Sequence, residues 1–305
     1  MTGKQLRKSN GIAGAKPVLD TFLGAGIDVA DAKYVILGVP FDGTSSFRRG
    51  SRRGPAAIRE ASQNIESFCL LEGIHLDAAS LPIADIGDVS VRPRRVEGML
   101  RSVETVVAQV FPSRQAIILL GGEHSLTLGA VRALSHDILV LQFDAHMDLR
   151  DSYGGTSYSH ACVARRVVEL LGPEHLVQVG TRAVDQQEYE FAQAQGIRRY
   201  TVQDVEQLGA GAIAQRILDS LPRGLPIYVS VDMDVLDPAF APAVGNPEPG
   251  GLTSLQLLTI LRILAPRAVA LDVTEVAPQY DQGLTALCAA RTITTFLCAK
   301  KSQPR

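Results

Sequence analysis

The sequence alternates repeatedly between short apolar runs and segments of helical periodicity. Most of the apolar runs consist of consecutive Val, Ile and Leu, as in strands that are buried on both faces of a sheet. Strands that alternate with helices form parallel sheets with helices on both sides, so we predict an α/β fold of three layers. The predicted strands cover residues 34–39, 116–120, 138–143, 176–180, 226–231 and 268–273.

Between these runs lie segments whose apolar residues recur at helical spacing. We find no low-complexity linker and no internal repeat, which favours a single domain over residues 1–305. Residues 1–30 are rich in glycine and polar residues, and we expect them to form an irregular N-terminal arm. The predicted helices cover residues 55–64, 95–110, 126–135, 159–171, 185–195, 203–220, 253–264 and 284–298.

Composition and charge exclude several classes of protein. The net charge of −2 gives no electrostatic reason to expect a nucleic acid partner. The N-terminus lacks the apolar core of a secretory signal, and no run approaches the roughly 18 apolar residues that span a membrane. The four cysteines show no paired spacing, so we expect buried thiols of a reducing compartment and a soluble cytoplasmic protein.

Carboxylate and imidazole side chains follow three of the predicted strands. The carboxyl ends of parallel strands meet at one edge of a sheet, where such folds bind ligands. In extended chain, residues i, i+2 and i+4 point to the same side, so the side chains after one strand can converge. We therefore expect a cluster at this edge made of His124, Asp144, His146, Asp148, Asp232 and Asp234.

The charge of this cluster predicts two metal ions. Four aspartates and two neutral histidines carry a charge of −4, which two divalent ions balance. Oxygen and imidazole ligands without thiolates suit Mn²⁺ better than structural zinc. Two such ions can lower the pKa of a shared water from about 15.7 toward about 7, which supplies hydroxide at neutral pH. Each motif alone is also typical of a turn or helix cap, so the prediction depends on their combination.

These residues resemble the ureohydrolase family, which includes arginases and agmatinases. The resemblance implies an arginase–deacetylase type fold, with a central parallel sheet of about eight strands between two helical layers. It also implies a small guanidino substrate and a homo-oligomer, trimeric or hexameric. The matching segments are residues 50–59, 121–125, 144–148, 159–160, 230–238, 250–251 and 272–278.

The resemblance also implies a role for each site residue. Asp144 and Asp232 would bridge two manganese ions, and Asp148 would also accept a hydrogen bond from a bridging hydroxide. His160 matches the proton shuttle of the family, and Glu275 matches the carboxylate that holds the substrate guanidinium. From sequence alone, His160 could instead face solvent and Glu275 could form a salt bridge. The implied ligands are His124, Asp144, Asp148 and Asp232 for one ion, and Asp144, His146, Asp232 and Asp234 for the other.

The loop at residues 149–160 lacks the Asn-Leu-His-Gly stretch of arginases, whereas residues 161–166 and 237–250 resemble archaeal-type agmatinases. We therefore expect hydrolysis of agmatine to putrescine and urea, with guanidinobutyrate, guanidinopropionate and arginine as alternative substrates. Ala243 departs from the Pro-Gly of the family, which puts the shape of its loop and the choice of substrate in doubt. The candidates for contact with the distal end of the substrate are Asp151, Tyr153 and Glu248 for an ammonium, and Arg150 for a carboxylate, unless Arg150 pairs with Asp151 instead.

Two other functions are compatible with parts of the pattern. An acetylpolyamine deacetylase-like hydrolase on the same fold would use one zinc ion, and the complete six-residue set argues against it. A non-catalytic relative would have lost ligand positions, and none is lost here.

Overall fold

The computed structural model of the protein describes residues 12–91, 95–134 and 137–302. Within these ranges it contains nine α-helices and eleven strands. The strands are β1 Ala15–Lys16, β2 Tyr34–Val39, β3 Phe68–Cys69, β4 Ile74–His75, β5 Ile83–Val89, β6 Ala116–Gly121, β7 Leu139–Phe143, β8 Leu176–Thr181, β9 Arg198–Thr201, β10 Ile227–Asp232 and β11 Ala268–Thr274. The helices are α1 Gly54–Ser62, α2 Val96–Val110, α3 Leu126–Arg132, α4 Val163–Leu171, α5 Gln186–Gln195, α6 Val202–Leu208, α7 Ala210–Asp219, α8 Ser254–Leu264 and α9 Leu284–Lys301.

The central sheet has nine strands in the order β1-β5-β2-β6-β11-β10-β7-β8-β9. The two-residue strand β1 pairs antiparallel with β5, and every other neighbouring pair is parallel, which leaves eight parallel strands. The predicted sheet of about eight parallel strands is therefore confirmed. Strands β3 and β4 form a separate antiparallel hairpin.

The sheet is covered on both faces, because residues on its two faces belong to two different apolar cores. One core contains residues of α1, α6, α7, α8 and α9, and the other contains residues of α2, α3, α4 and α5. The six strands predicted from sequence are the ones with almost wholly buried residues. This arrangement explains why their sequences are continuous apolar runs rather than alternating ones.

The sequence analysis missed β5 and β9 because neither is a continuous apolar run. In β5, Asp85 and Asp88 interrupt the pattern, and both bind the buried side chain of Arg59 from α1. The Arg59 Nε lies 2.8 Å from Asp85, and its Nη1 lies 2.6 Å from Asp88. Strand β9 is an edge strand whose residues are all half-buried. Tertiary ion pairing and edge position thus hid these two strands from a hydrophobicity pattern.

The predicted helix over residues 203–220 is two helices, α6 and α7. Gly209 separates them with a positive φ of 86°, which glycine adopts without steric cost. The predicted helix over residues 159–171 begins instead with a 3₁₀ turn, His160–Cys162, that leads into α4. This turn places His160 at the carboxyl edge of the sheet.

The structure describes residues 12–30 of the segment that we expected to form an irregular arm. Residues 12–30 contain only β1 and a 3₁₀ turn at Phe22–Gly24. The rest of that prediction, for residues 1–11, lies outside the described residues.

The prediction of four free thiols is wrong for two cysteines. Cys69 of β3 and Cys298 of α9 form a disulfide, while Cys162 and Cys288 are free. The two bonded residues are 229 positions apart in sequence, and only the folding of α9 beside the β3–β4 hairpin brings them together. Among the helices in the described ranges, none has the length and apolar character needed to cross a lipid bilayer.

Candidate binuclear metal centre and active-site cavity

Four neighbouring strands bring the predicted site residues to one edge of the sheet. The strands β6, β11, β10 and β7 are consecutive in the sheet. His124 follows β6, Glu275 follows β11, Asp232 ends β10 and Asp144 follows β7. The convergence expected from sequence therefore arises from strand order, since the segments involved are far apart in the chain.

The local backbone at these positions differs from the extended chain that we expected. Asp148 and Glu275 have positive φ angles of 52° and 63°, and Asp234 lies in a 3₁₀ turn at Met233–Val235. A positive φ is uncommon for residues other than glycine, and such strain concentrates at functional sites. Turns rather than continued strands thus aim these carboxylates at the cluster.

Gly122 allows the turn that carries His124 to approach the chain after β2. A Cβ atom at residue 122 would lie 1.9 Å from the backbone oxygen of Phe41. The backbone N–H of Gly122 donates to the carbonyl of Val39, and the N–H of Glu123 donates to the carbonyl of Phe41. A side chain at residue 122 would therefore displace the turn that carries His124.

The first half of the cluster surrounds the buried imidazole of His124. Its Nδ1 lies 3.1 Å from Asp144, 3.1 Å from Asp148 and 3.4 Å from Asp232. No group in the described ranges forms a hydrogen bond with this buried Nδ1. On the opposite side of the ring, Nε2 lies 2.9 Å from the hydroxyl of Ser230. A ring nitrogen without a hydrogen-bond partner that faces three carboxylates fits a metal ligand.

The second half surrounds His146, whose side chain is partly exposed. Its Nδ1 lies 3.1 Å from Asp234 and 3.5 Å from Asp144. Asp144 belongs to both halves, because its Oδ2 faces His124 while its Oδ1 faces His146. Two groups of side chains have ligand atoms close enough to share an ion: His124 with Asp144 and Asp232, and Asp144 with His146 and Asp234. A carboxylate shared by both groups is the arrangement that a binuclear site requires.

Burial and mutual repulsion raise the pKa values of two carboxylates in this cluster. Burial, followed by the charge of Asp144, raises the pKa of Asp148 to about 7. Burial and the charges of Asp234 and Asp144 raise the pKa of Asp232 well above its usual range. Divalent cations would relieve both effects, and the donor set of carboxylate oxygens and imidazole nitrogens suits Mn²⁺ or a similar ion.

His160 lies in the same cavity as the carboxylates, rather than facing solvent. Its Nε2 lies 3.5 Å from the hydroxyl of Ser46, and its Nδ1 lies 3.2 Å from the hydroxyls of Thr44 and Ser159. Burial, followed by the positive charges of His124 and His146, lowers the pKa of His160 to about 4. Its imidazole is therefore neutral near pH 7.

Glu275 also lines the cavity, and its carboxylate accepts a hydrogen bond of 2.9 Å from the backbone N–H of His124. Burial and the neighbouring Glu123 raise the pKa of Glu275 to about 8. The described residues place no arginine or lysine within ion-pair distance of it, in contrast to the salt bridge considered from sequence. A cationic ligand would supply the missing charge.

The cavity that these residues line has a volume of about 340 Å³. Its lining contains Asp148, Asp232 and Asp234 of the metal cluster together with Glu275, and also Asp185, Glu188 and Glu248. Arg150 is the one arginine, and there is no lysine, among the described lining residues. The cavity is thus strongly acidic, which favours a cationic ligand.

The structure places the residues that we considered for contact with the distal end of the substrate. Asp151 pairs with Arg166 at 2.9 Å and is largely exposed outside the main cavity. Arg150 pairs with Glu188 at 3.4 Å and Asp185 at 3.9 Å, so the pairing with Asp151 considered from sequence is wrong. Tyr153 lines the cavity beneath the guanidinium of Arg150.

Glu248 is the candidate from sequence that offers a carboxylate to the cavity. Its Oε1 lies 3.7 Å from the Nε2 of His146, and its backbone carbonyl accepts a 2.6 Å hydrogen bond from Arg182. Arg182 also binds the carbonyl of Asp234 at 2.8 Å, which ties the Glu248 loop to the metal cluster. Ala243 is absent from the described residues with positive φ, so its loop does not need the glycine of the family pattern.

Several residues of the site were not identified from sequence. Ser230 and Glu123 lay inside recognised motifs, yet nothing in their spacing showed that they contact His124 and Thr44. Thr44 had no sequence signal at all, because it is 116 residues from His160. Asp185 and Glu188 form the capping box of α5, and this structural role alone accounts for both residue types in the sequence.

Comparisons with known proteins agree with this geometry. A family model described as the arginase family matches residues 32–299. An agmatinase of Pyrococcus horikoshii is 40% identical over 272 residues, which cover 88% of this chain and 92% of the relative. An N(1)-aminopropylagmatine ureohydrolase of Thermococcus kodakarensis is 39% identical, with coverage of 88% and 90%. The crystal structure of the agmatine ureohydrolase of Thermoplasma volcanium superimposes with a TM-score of 0.88 at 40% identity, covering 93% of this chain and 95% of that one.

Proposed function

This chain belongs to the arginase family, and we propose that it is an agmatinase, a hydrolase that converts agmatine to putrescine and urea. The observation that carries the proposal is the acidic cavity, which is lined by the carboxylates of Glu275 and Glu248. Glu275 is 5% exposed, whereas the side chain of Glu248 is 40% exposed, so the two carboxylates differ in depth. Agmatine is a guanidinium and an ammonium joined by a short alkyl chain, so its two charges match these two carboxylates.

The same charges disfavour the alternative substrates. Guanidinobutyrate, guanidinopropionate and arginine each carry a carboxylate at or near the distal end. Arg150 is the cation available to receive it among the described lining residues, and Glu188 and Asp185 already pair with Arg150. Binding a substrate carboxylate would require Arg150 to give up these partners, which adds a desolvation and pairing cost.

The residues of the cavity have distinct tasks in this reaction. Two divalent cations held by the histidine–aspartate cluster would lower the pKa of a water molecule and so supply the nucleophile. Glu275 would pair with the planar guanidinium and fix its carbon in front of the cluster. The leaving amine needs one proton. His160 is neutral near pH 7, so it would first accept this proton at Nε2 from the nucleophilic water and then deliver it to the amine. Its lowered pKa makes protonated His160 a strong acid for this step.

We propose manganese as the native metal, with two ions per chain. One would be held by His124, Asp144, Asp148 and Asp232, and the other by Asp144, His146, Asp232 and Asp234. The support is the donor set, which contains oxygen and imidazole ligands and no thiolate. Binding of two metal equivalents per chain would distinguish this proposal from the one-zinc deacetylase alternative.

The test is a urea-release assay on the manganese-loaded protein with agmatine, arginine, guanidinobutyrate and guanidinopropionate side by side. We expect the highest kcat/KM for agmatine. A clear preference for arginine or a guanidino acid would contradict the role proposed for Glu248. Absence of urea from every compound would favour a non-catalytic relative.

An aminopropyl derivative of agmatine belongs in the same assay. A second cavity of about 480 Å³ adjoins the first and shares Arg150, Asp185 and Glu188 with it. An additional amine on a longer substrate could reach these carboxylates. A higher kcat/KM for the aminopropyl derivative than for agmatine would extend the proposed substrate without changing the chemistry.

We also propose that the protein is a single domain, forms a homo-oligomer and is cytoplasmic. The support for the trimer or hexamer is the family resemblance alone, and light scattering of the purified protein would test it. No part of the proposed reaction involves a nucleic acid or a membrane.

A further inference from the structure

Thr44 and Glu123 are buried or half-buried polar residues beside His160 that the reaction described above does not use. They come from different parts of the chain: Thr44 follows β2, and Glu123 follows β6. The carboxylate of Glu123 is 1% exposed. It accepts three hydrogen bonds of 2.6 Å, from the backbone N–H of Thr44 and from the hydroxyls of Thr44 and Ser125.

These contacts determine the direction of the Thr44 hydroxyl. A threonine hydroxyl has one proton to donate and two lone pairs to accept with. The proton is directed at Glu123, whose Oε1 accepts it at 2.6 Å. One lone pair accepts from the backbone N–H of His160 at 3.0 Å. The other faces the Nδ1 of His160 at 3.2 Å, so a favourable contact there requires a proton on Nδ1.

We propose that Thr44, oriented by Glu123, is a positioning residue that holds His160 in the tautomer with the proton on Nδ1. Nε2, on the opposite side of the ring, then keeps its lone pair toward the cavity and Ser46. His160 can thus take up and release the catalytic proton at Nε2 without rotating. This inference rests on the proposed function for its consequence in catalysis, but the tautomer itself does not depend on the substrate.

Ser159 is the competing partner of His160. Its hydroxyl also lies 3.2 Å from Nδ1, and it could donate to that nitrogen if the proton were on Nε2 instead. In that tautomer, however, the lone pairs of Nδ1 and of the Thr44 hydroxyl would face each other. The 2.6 Å bond to Glu123 prevents the hydroxyl from turning to relieve this repulsion.

The decisive experiment observes the tautomer directly. The protein would be labelled with ¹⁵N-histidine and loaded with Zn²⁺, because Zn²⁺ is diamagnetic, and His160 would be assigned by comparison with His160→Gln. We expect a protonated Nδ1 and an unprotonated Nε2 in the unmodified protein. Thr44→Val should shift the ring toward a proton on Nε2, whereas Ser159→Ala should leave it unchanged. An unprotonated Nδ1 in the unmodified protein would overturn the proposal.

Kinetics then test the consequence for catalysis. Thr44→Val should lower kcat for agmatine by about 10-fold to 100-fold while KM changes by less than about threefold, since proton transfer and not binding is impaired. Thr44→Ser keeps the hydroxyl and should retain most of kcat. Thr292→Val is the matched control, because it removes a buried hydroxyl that bonds only within α9.

The outcomes separate the two proposals. If Thr44→Ser lost as much kcat as Thr44→Val, the hydroxyl would not be the acting group, and the inference would fail. If Thr44→Val did not fold, the spectrum of the unmodified protein and the Thr44→Ser kinetics would still decide. If the unmodified protein released no urea but showed a protonated Nδ1, the proposed function would fail and the tautomer assignment would stand.

Discussion

The two halves of the metal cluster have similar ligand chemistry but very different surroundings. His124 is 1% exposed, whereas the side chain of His146 is 28% exposed. Behind His124, the hydroxyl of Ser230 accepts from Nε2 and donates to the fully buried Asp272 at 2.7 Å. Behind His146, the nearest carboxylate is Glu248, 3.7 Å away and itself 40% exposed.

The difference indicates how each histidine is held in position. The Asp272 carboxylate also accepts from Tyr228 at 2.6 Å and from Thr127 at 2.7 Å, so a buried network fixes the ring of His124 before any ion binds. Outer groups of this kind fix the tautomer and orientation of a ligating histidine. On its Nε2 side, His146 has the loop carboxylate of Glu248, which also lines the substrate cavity. We therefore expect one half to be rigid and the other to respond to the ligand.

The largest effect should come from Asp144, whose two carboxylate oxygens face different halves of the cluster. Asp144→Asn should lower kcat by about 1,000-fold or more and reduce the bound metal at both positions, because one carboxylate belongs to both groups. Metal analysis and urea release measure the two effects. Asp219→Asn, at the exposed end of α7, is the control. Full binding at either position in Asp144→Asn would contradict a shared ligand.

A change behind His124 should have the next largest effect. Ser230→Ala leaves the buried Nε2–H of His124 without its acceptor, and the affinity for the metal should fall by about 10-fold to 100-fold. Competition with a chelator measures the affinity. Ser102→Ala removes a serine hydroxyl from α2 and should leave the affinity unchanged. An unchanged affinity in Ser230→Ala would mean that the buried network does not support the metal position.

A change at Glu248, beside His146, should affect metal affinity less than substrate binding. Glu248→Gln should alter metal affinity by less than about threefold, because the 3.7 Å contact is too long for a hydrogen bond. The same change should raise KM for agmatine several-fold, since it removes the carboxylate proposed for the distal ammonium. Steady-state kinetics with agmatine and with a guanidino compound that lacks the ammonium provide the test. An equal rise in KM for both would contradict that role.

The smallest effect concerns His160, whose pKa is lowered by burial and by the charges of His124 and His146. Its pKa is about 4 in the folded protein, against about 6.5 when unfolded. Between these values the unfolded state binds more protons, so the contribution of this residue to stability is lost as the pH falls from about 6.5 to 4. His160→Gln lacks this dependence. In metal-free protein, urea unfolding at pH 7, 6 and 5 should show the stability of the unmodified chain declining relative to that of His160→Gln.

Much of the fold followed from hydrophobic pattern, and the exceptions have a common cause. Strands such as β2 and β6 are central, and burial on both faces makes them continuous apolar runs. Strand β5 was missed because Asp85 and Asp88 interrupt it, and their burial is compensated by Arg59 from another element. The disulfide between Cys69 and Cys298 was missed for the same reason, because it depends on a contact between distant segments. Local patterns do not encode such partners.

The sequence by itself determined the ligand types of the cluster that carries the chemistry. His124, Asp144, His146 and Asp232 follow or end predicted strands, and with Asp148 and Asp234 they form a set of charge −4 that predicts two divalent cations. The tertiary structure alone decided which residues surround these ligands and how exposed each ligand is. The order of the strands, the positive φ of Asp148 and Glu275, and the burial that separates His124 from His146 all depend on contacts across the sheet. Residue type sets what a group can bind, whereas its neighbours in space set its orientation, protonation and exposure.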